Sequence, residues 1–497
     1  MTSNAAAPAG LGPYAAAALV FGASAAVLVV ELVALRLLAP YLGLTLETST
    51  IVIGSALAAI AAGSWAGGRL ADAVPPRRLL GPLLAISGVA VAATPPLVRV
   101  TGSLPGGTLL LMIVAGLGIV VPGTFLSAIT PMVTKLRLNT LDQTGRVVGR
   151  LSGIGTVGAI VGTVVTGFIL ISRVPVSGIM IGLGITLIVA AVAVELRFRS
   201  WRWAAVPAVL IGLSGVGAAV APGGCDAETA YHCAVVVDDA ERPTGRVLLL
   251  DGAPHSYVDL ADPTHLEFAY AKGVVAAIDA AFPPGRPLQA YHLGAGALTL
   301  PQYLAQTRPG TASVVSEIDP GVVAIDRERL GYDPDRGIEV RVEDGRLGLT
   351  RLPAGSQDLV VGDAFGGISV PWHLTTREAV REIERVLTGD GTYVVNMIDR
   401  GPLAFARAEV TTLRSEFPHV ALMGRTDTLA RTGGGNLVAV ASPAPIDTAG
   451  IASRLAGTDT GWGVITGAEL DAWVDGAPVL TDDYAPVDQL LTPYVER

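Results

Sequence analysis

LQAYHLGAGALTLPQYLAQTRPGTASVVSEIDPGVVAIDRERLG, residues 288–331, holds two short apolar runs, each followed by a turn and a helical segment. LQAYHLGAG reads as a strand running into a glycine turn, and LTLPQYLAQT as a helix. ASVVSEID is a second strand, and PGVVAIDRERLG a second helix. Strands alternating with helices indicate crossover units and a doubly wound sheet with parallel strands. The pattern extends both ways. Upstream, LEFAYAKGVVAAIDAAF (266–282) is helical. Downstream, IEVRVEDG (338–345), QDLVVGDAF (357–365) and GTYVVNMID (391–399) are strands, and TREAVREIERVL (376–387) is an amphipathic helix. Before all of these, residues 234–260 alternate as AVVVDD, GRVLLLDG and HSYVDL, separated by Pro, Gly and Asp, which predicts a small antiparallel β unit.

The N-terminal part is of another kind. The whole chain is 51% hydrophobic and 15% charged, against about 25% charged for soluble domains. Residues 1–222 carry 13 basic and 5 acidic side chains, whereas 223–497 carry 21 and 38. The second part is therefore strongly acidic, which excludes a nucleic acid as partner. Spanning a bilayer takes about 20 apolar residues. Seven stretches qualify: Tyr14–Leu38, Thr50–Leu70, Leu79–Val98, Thr108–Thr130, Leu151–Ile171, Val174–Val194 and Trp203–Ala221. Alternate loops hold Arg69, Arg77 and Arg78; Lys135, Arg137, Arg146 and Arg150; and Arg197, Arg199 and Arg202. Basic loops stay in the cytoplasm. This predicts an integral plasma-membrane protein with a cytoplasmic N-terminus and an extracytoplasmic C-terminal domain. Cys225 and Cys233, eight residues apart after the last span, fit a disulfide in an oxidising compartment, or else two buried thiols. A zinc site has only His232 as a nearby extra ligand, and no metal is expected. Gly158 and Gly162, with Gly155 one turn earlier, form a small-residue face suited to close helix packing in lipid. Glu31 lies inside the first span, where a carboxylate is costly. It either lines a polar passage or pairs with Arg36 or another helix. The expected division is 1–222 for the membrane helices, 223–262 for the β unit with Cys225 and Cys233, and 263–497 for the α/β domain.

Ligands on parallel sheets sit at the carboxyl ends of the strands, and the chemistry-bearing residues gather there. Gly294 and Gly296 follow the first strand, where small residues let backbone amides approach a ligand. Glu317 ends the second strand and could accept both hydroxyls of a ribose. Asp344 ends the third, where an acid could accept an adenine amino group. Asp363 ends the fourth and is the candidate general base or cation-binding carboxylate. Each of these acids could instead be a helix cap or a solvated strand end. His255, Tyr257, Asp259, Asp262, His265, His292, His373, Asp482 and Asp483 complete the candidates, with His373 and Asp483 open to a capping or turn role.

The order LLLDG (248–252), EFAY (267–270), HLGAG (292–296), SEIDP (316–320), VEDGR (342–346), VVGDAF (360–365) and VPWHLTTREA (370–379) resembles spermidine synthases. The branch it resembles most has several membrane spans ahead of the synthase-like domain, and LTDDYAPVDQLL (480–491) is typical of it. The resemblance implies a multi-span α-helical domain of about seven helices followed by an α/β Rossmann-like domain of the methyltransferase/spermidine synthase type. It implies a transferase of polyamine biosynthesis that moves an aminopropyl group from decarboxylated S-adenosylmethionine, as co-substrate, to an amine. By position, Asp363 would be the base, Glu317 would hold the ribose and Asp344 the adenine, Tyr270 would border the acceptor, and His255 takes a glutamine's place. The family's acids at two amine-binding positions are Ala297 and Gly366 here. A diverged extracytoplasmic enzyme, using Asp363 with nearby His and Asp on a non-polyamine substrate, is the alternative. A transporter or ligand-sensing membrane protein is a further one. The expected partners are the lipid bilayer and a small-molecule substrate, and the resemblance allows a homodimer.

Overall fold

The computed structural model describes residues 11–42, 46–102, 108–138, 141–171, 173–198, 225–367 and 369–491. The chain divides into two compact units, 1–224 and 225–497.

The first unit is helical: α1 (Pro13–Leu42), α2 (Leu46–Ala73), α3 (Leu80–Gly102), α4 (Thr108–Ser127), α5 (Ile129–Arg137), α6 (Thr144–Val165) and α7 (Val176–Phe198). Among the described residues, six helical segments are long and apolar enough to cross a membrane, α4 and α5 counting as one. A helix suits that setting because it satisfies its own backbone polar groups. The expected span Trp203–Ala221 lies outside the described residues. The expected fourth span, Thr108–Thr130, is broken at Ala128, past Pro122, and the helix that follows runs through the expected loop residues Lys135 and Arg137. α6 ends in a π-helical turn, Thr166–Leu170. The small-residue face of α6 packs on α1. A Cβ added at Gly158 would meet the Phe21 carbonyl oxygen at 2.3 Å, and one at Gly162 the Ala25 carbonyl oxygen at 2.8 Å. Asp72 and Lys135, from two of the basic loops, pair directly. Glu31 is half-buried in α1.

The second unit opens with an antiparallel sheet of β1 (Ala227–Glu228), β2 (Cys233–Asp238), β3 (Gly245–Leu250) and β4 (Ala253–Asp259), in that spatial order. Asp251 and Gly252 both have positive φ, 53° and 77°, so Asp-Gly forms the tight two-residue turn that joins β3 to β4. The main sheet contains β5 (Gln289–Leu293), β6 (Ala312–Glu317), β7 (Ile338–Val342), β8 (Gln357–Gly362), β9 (Leu387–Asp399), β10 (His419–Arg425), β11 (Gly435–Ser442) and β12 (Trp462–Thr466). Its order among the described residues is β12-β10-β11-β9-β8-β5-β6-β7. β7, β6, β5, β8 and β9 run parallel, as the alternation predicts. β11, β10 and β12 extend the sheet antiparallel, in a region where the pattern assigns no element.

Alternation along β8 sends Val360 to one face of the sheet and Leu359 and Val361 to the other, so both faces are covered. One face packs α8 (Ala269–Ala281). The helices that follow β5, β6 and β7 are α9 (Thr299–Thr307), α10 (Pro320–Arg329) and α11 (Gly345–Thr350). The small β sheet buries Val236, Leu248, Leu250 and Val258 against Val322 and Ile325 of α10. That packing sets β4 and the β1–β2 turn beside the carboxyl ends of β5 and β6.

Candidate active site

A cavity of about 450 Å³ opens at these strand ends. It brings together His255, Tyr270, Gly294, Gly296, Glu317, Asp344, Asp363 and His373. The sequence separates these residues by more than a hundred positions, and the parallel topology aligns them.

The glycine turn after β5 is a close-approach device. Gly294 has φ +92°, and a Cβ there would meet the Asp363 carbonyl oxygen at 2.7 Å. A Cβ on Gly296 would strike the Ser256 hydroxyl of β4 at 2.3 Å. Between them, the Ala295 amide donates to Glu317 Oε2 at 2.9 Å, and the Asp319 amide donates to Oε1 at 2.8 Å. Burial pushes the Glu317 carboxyl up, and these two amides oppose it. A carboxylate has about four lone-pair directions, so two remain for a diol.

Asp344 caps α11. Its Oδ1 accepts the Leu347 amide at 3.0 Å, and its Oδ2 lies 2.9 Å from His373 Nε2. The capping role and the site role therefore coincide in one side chain. His373 in turn gives its carbonyl to Arg346.

Asp363 sits just past β8, at the floor of the cavity. Its amide donates to the Leu293 carbonyl at 2.9 Å, which ties the first strand end to the fourth. Asn396 Nδ2 donates to its Oδ1 at 2.9 Å, and Asn396 Oδ1 accepts from Asn436 Nδ2 at 3.1 Å. The Tyr270 hydroxyl, in the first turn of α8, donates to the His255 carbonyl at 3.4 Å and lies close enough to Asp363 to act on its carboxyl. Burial pushes the Asp363 carboxyl up to about 7, with the Asn396 bond and the Tyr270 hydroxyl pulling the other way. The Tyr270 hydroxyl is held well above its ordinary value, first by burial and then by Asp363, so it stays a donor. Burial lowers His255, which keeps its imidazole neutral near pH 7. A raised carboxyl, a fixed hydroxyl donor and neutral imidazole on one wall suit proton transfer to and from a bound nucleophile.

Asp482, Asp483, His292 and Glu31 do not line this cavity, nor do Tyr257, Asp259, Asp262 and His265. Asp483 is exposed; its neighbour Asp482 is the one engaged, holding Arg346 through both oxygens at 2.7 Å and accepting from Thr376. The turn closed by Thr481 and Tyr484 decides between these adjacent acids, and spacing could not. His292 is fully buried in β5, where burial lowers it to about 3. Glu31 belongs to the membrane unit and is not among the residues lining the cavity. Cys225 and Cys233 are joined in a disulfide. Among the described residues, no cluster of three His, Cys, Asp or Glu is placed to hold a metal ion.

Asn396, Asn436, Ser256 and His232 also line the cavity and were not singled out as site residues by the pattern. Asn396 had a signal: it is the lone amide in the apolar strand YVVNMI.

No family model matches the chain. It is 31% identical over 134 residues to a protein named polyamine aminopropyltransferase from Vibrio vulnificus, covering 27% of this chain and 44% of that protein. It is 26% identical over 141 residues to a protein of the same name from Chromobacterium violaceum, covering 28% and 53%. The chain thus spans about half the length of the curated relatives it matches. Among solved structures it is similar to a probable spermidine synthase from Corynebacterium glutamicum, at 25% identity and a TM-score of 0.49, covering 52% of this chain and 95% of that one. Over about a quarter of its length the chain is thus similar to proteins named polyamine aminopropyltransferase.

Proposed function

We propose that this chain is a membrane-bound, spermidine synthase-like transferase that moves an aminopropyl group from decarboxylated S-adenosylmethionine to an amine. The observation that carries the reading is Asp363, a carboxyl raised to about 7, held by Asn396 and lining the cavity with Tyr270. An amine attacks only when unprotonated, and a base with a pKa near the working pH is best matched to take its proton. The amine nitrogen bonds to the aminopropyl carbon next to sulfur as the carbon–sulfur bond breaks. The sulfonium becomes the thioether of methylthioadenosine, and the proton passes to Asp363. Glu317 accepts the ribose hydroxyls on its two remaining lone pairs. Asp344 faces the adenine and shares its carboxylate with His373. The name carried by both curated relatives, polyamine aminopropyltransferase, supports the same class.

The purified full-length chain, given decarboxylated S-adenosylmethionine and a panel of amines, should release methylthioadenosine. Asp363→Asn should cut that rate by about 10²-fold or more, the usual worth of a positioned base. An undiminished rate in the variant removes Asp363 from the mechanism.

One observation favours a second reading, in which the acceptor is not an ordinary diamine. Of the four lining carboxylates, Asp363 is committed to the attacking amine, and the other three already have partners. Glu317 holds two amides, Asp344 holds His373 and the Leu347 amide, and Glu267 lies 3.2 Å from His265. Ala297 and Gly366 add none. A second ammonium would be desolvated without an uncommitted partner, which is heavily penalised. An acceptor with one amine, or a neutral nucleophile, meets no such cost. Putrescine outperforming monoamines in the same assay rejects this reading.

A further inference from the structure

The turn that joins β1 to β2 has no part in the transfer step, yet His232 at its end lines the cavity. The Cys225–Cys233 disulfide closes this loop. His232 Nδ1 lies 2.8 Å from Asp251 Oδ2, and Asp251 Oδ1 accepts the Cys233 amide at 2.9 Å. In the neutral ring, a carboxylate on Nδ1 selects the tautomer with its proton there and leaves Nε2 as an acceptor. The His232 ring centroid stands 6.3 Å from that of His255. Within the loop, the Thr229 hydroxyl oxygen accepts the amides of Tyr231 and His232 at 3.2 and 2.8 Å. The same hydroxyl donates to the carboxylate of Asp319. The Asp319 amide in turn donates to Glu317 Oε1 at 2.8 Å. The disulfide loop thus reaches the cavity by two routes, through Asp251 to His232 and through Asp319 to Glu317.

We infer that this loop is a redox latch on the nucleoside end of the cavity, and that His232 accepts a hydrogen bond from the bound nucleoside. The inference rests on reading the cavity as a nucleoside site. β1 is two residues long, and a hairpin that short is not stable unaided. The cross-link supplies the closure that its backbone pairing cannot. A dithiol such as dithiothreitol cleaves the S–S bond to two thiols and is itself oxidised to a cyclic disulfide. The loop then loses its register, and with it the placement of His232 and Thr229.

The test measures binding of 5′-methylthioadenosine to the full-length chain in detergent, with and without dithiothreitol. Alkylation of the chain's two cysteines verifies reduction, and circular dichroism follows the fold. Reduction should weaken binding up to about tenfold, the scale of one lost neutral hydrogen bond. The double variant Cys225→Ser/Cys233→Ser should show the weakened affinity and no response to dithiothreitol. His232→Ala should weaken binding by a similar factor while oxidised, and His232→Gln, which keeps an acceptor, by less. Asp251→Asn tolerates the left-handed turn and leaves the disulfide intact. It should weaken binding too, and it carries the test with His232→Ala if the reduced chain unfolds. Affinity indifferent to verified reduction overturns the latch, and full affinity in His232→Ala overturns the contact. A wild-type chain that binds no methylthioadenosine overturns the nucleoside reading together with the latch, a result distinct from tight binding that ignores reduction.

Discussion

Asn396 donates to Asp363 while being held by Asn436, so two amides on neighbouring strands β9 and β11 set the state of a carboxyl at the end of β8. A hydrogen bond to the charged form of an acid lowers its pKa, and burial raises it. Here burial wins, and the carboxyl stands near 7. Replacing Asn396 by Leu removes the donor and keeps the volume. Asp363 should then rise further, by about 1–2 units for one bond of roughly 1.5–3 kcal/mol to a charged group. A base works deprotonated, so the rising limb of kcat/KM against pH should move to higher pH by that amount. Activity at pH 7 falls several-fold or more and returns towards the wild-type plateau in alkali. A variant whose plateau drops while its limb stays at the wild-type pH would show that Asn396 positions Asp363 without tuning it.

At the scale of elements, strand ends were legible and cross-strand partners were not. Glu317, Asp344 and Asp363 each stand where an apolar period-2 run meets a polar turn, and parallel topology carries all three to one edge. Asn396, Asn436 and His232 reach that edge from strands and turns whose neighbours are set by tertiary pairing. β11 lies between β9 and β10, a strand order that skips sequence neighbours. Asp482 and Asp483 show the same limit at shorter range, since one turn geometry chooses between adjacent acids. The α6 glycines were legible because helical spacing alone puts Gly158 and Gly162 on one face. Their use can be tested. Helix association in lipid depends on close packing of small residues, and Gly158 leaves no room beside the Phe21 carbonyl. Gly158→Leu should destabilise the membrane unit by roughly 1–3 kcal/mol, as overpacking does, seen as a lower thermal midpoint in detergent. Gly153→Leu, on the same helix with nothing within 4 Å of an added Cβ, should leave it unchanged. Equal tolerance of both would separate α6 from α1 as packing partners.

For the whole molecule, the deciding quantity is the parity of the spans. Six described segments can cross a membrane, and an even number returns the chain to the side where it started. The apolar stretch Trp203–Ala221, outside the described residues, would make the count odd if it crosses as the sequence leads us to expect. If the basic loops at Arg69–Arg78, Lys135–Arg150 and Arg197–Arg202 mark the cytoplasmic side by their excess of Lys and Arg, an odd count would put residues 225–497 outside. The disulfide gives an independent argument for the same side, because cytosolic thiols are kept reduced. The consequence for substrate is direct, since adenosylmethionine-type donors are made in the cytoplasm and an outward-facing cavity would need its donor exported or a different one supplied. A reporter fused after Arg497 that works only outside the cytoplasm should be active in intact cells. Deleting residues 203–221 should invert it, because the span count becomes even while the basic loops stay in place. A reporter active only in the cytoplasm would return the cavity to the compartment of ordinary polyamine chemistry. It would also leave the disulfide without an oxidising surrounding, so the alkylation state of Cys225 and Cys233 in the same cells must change with it.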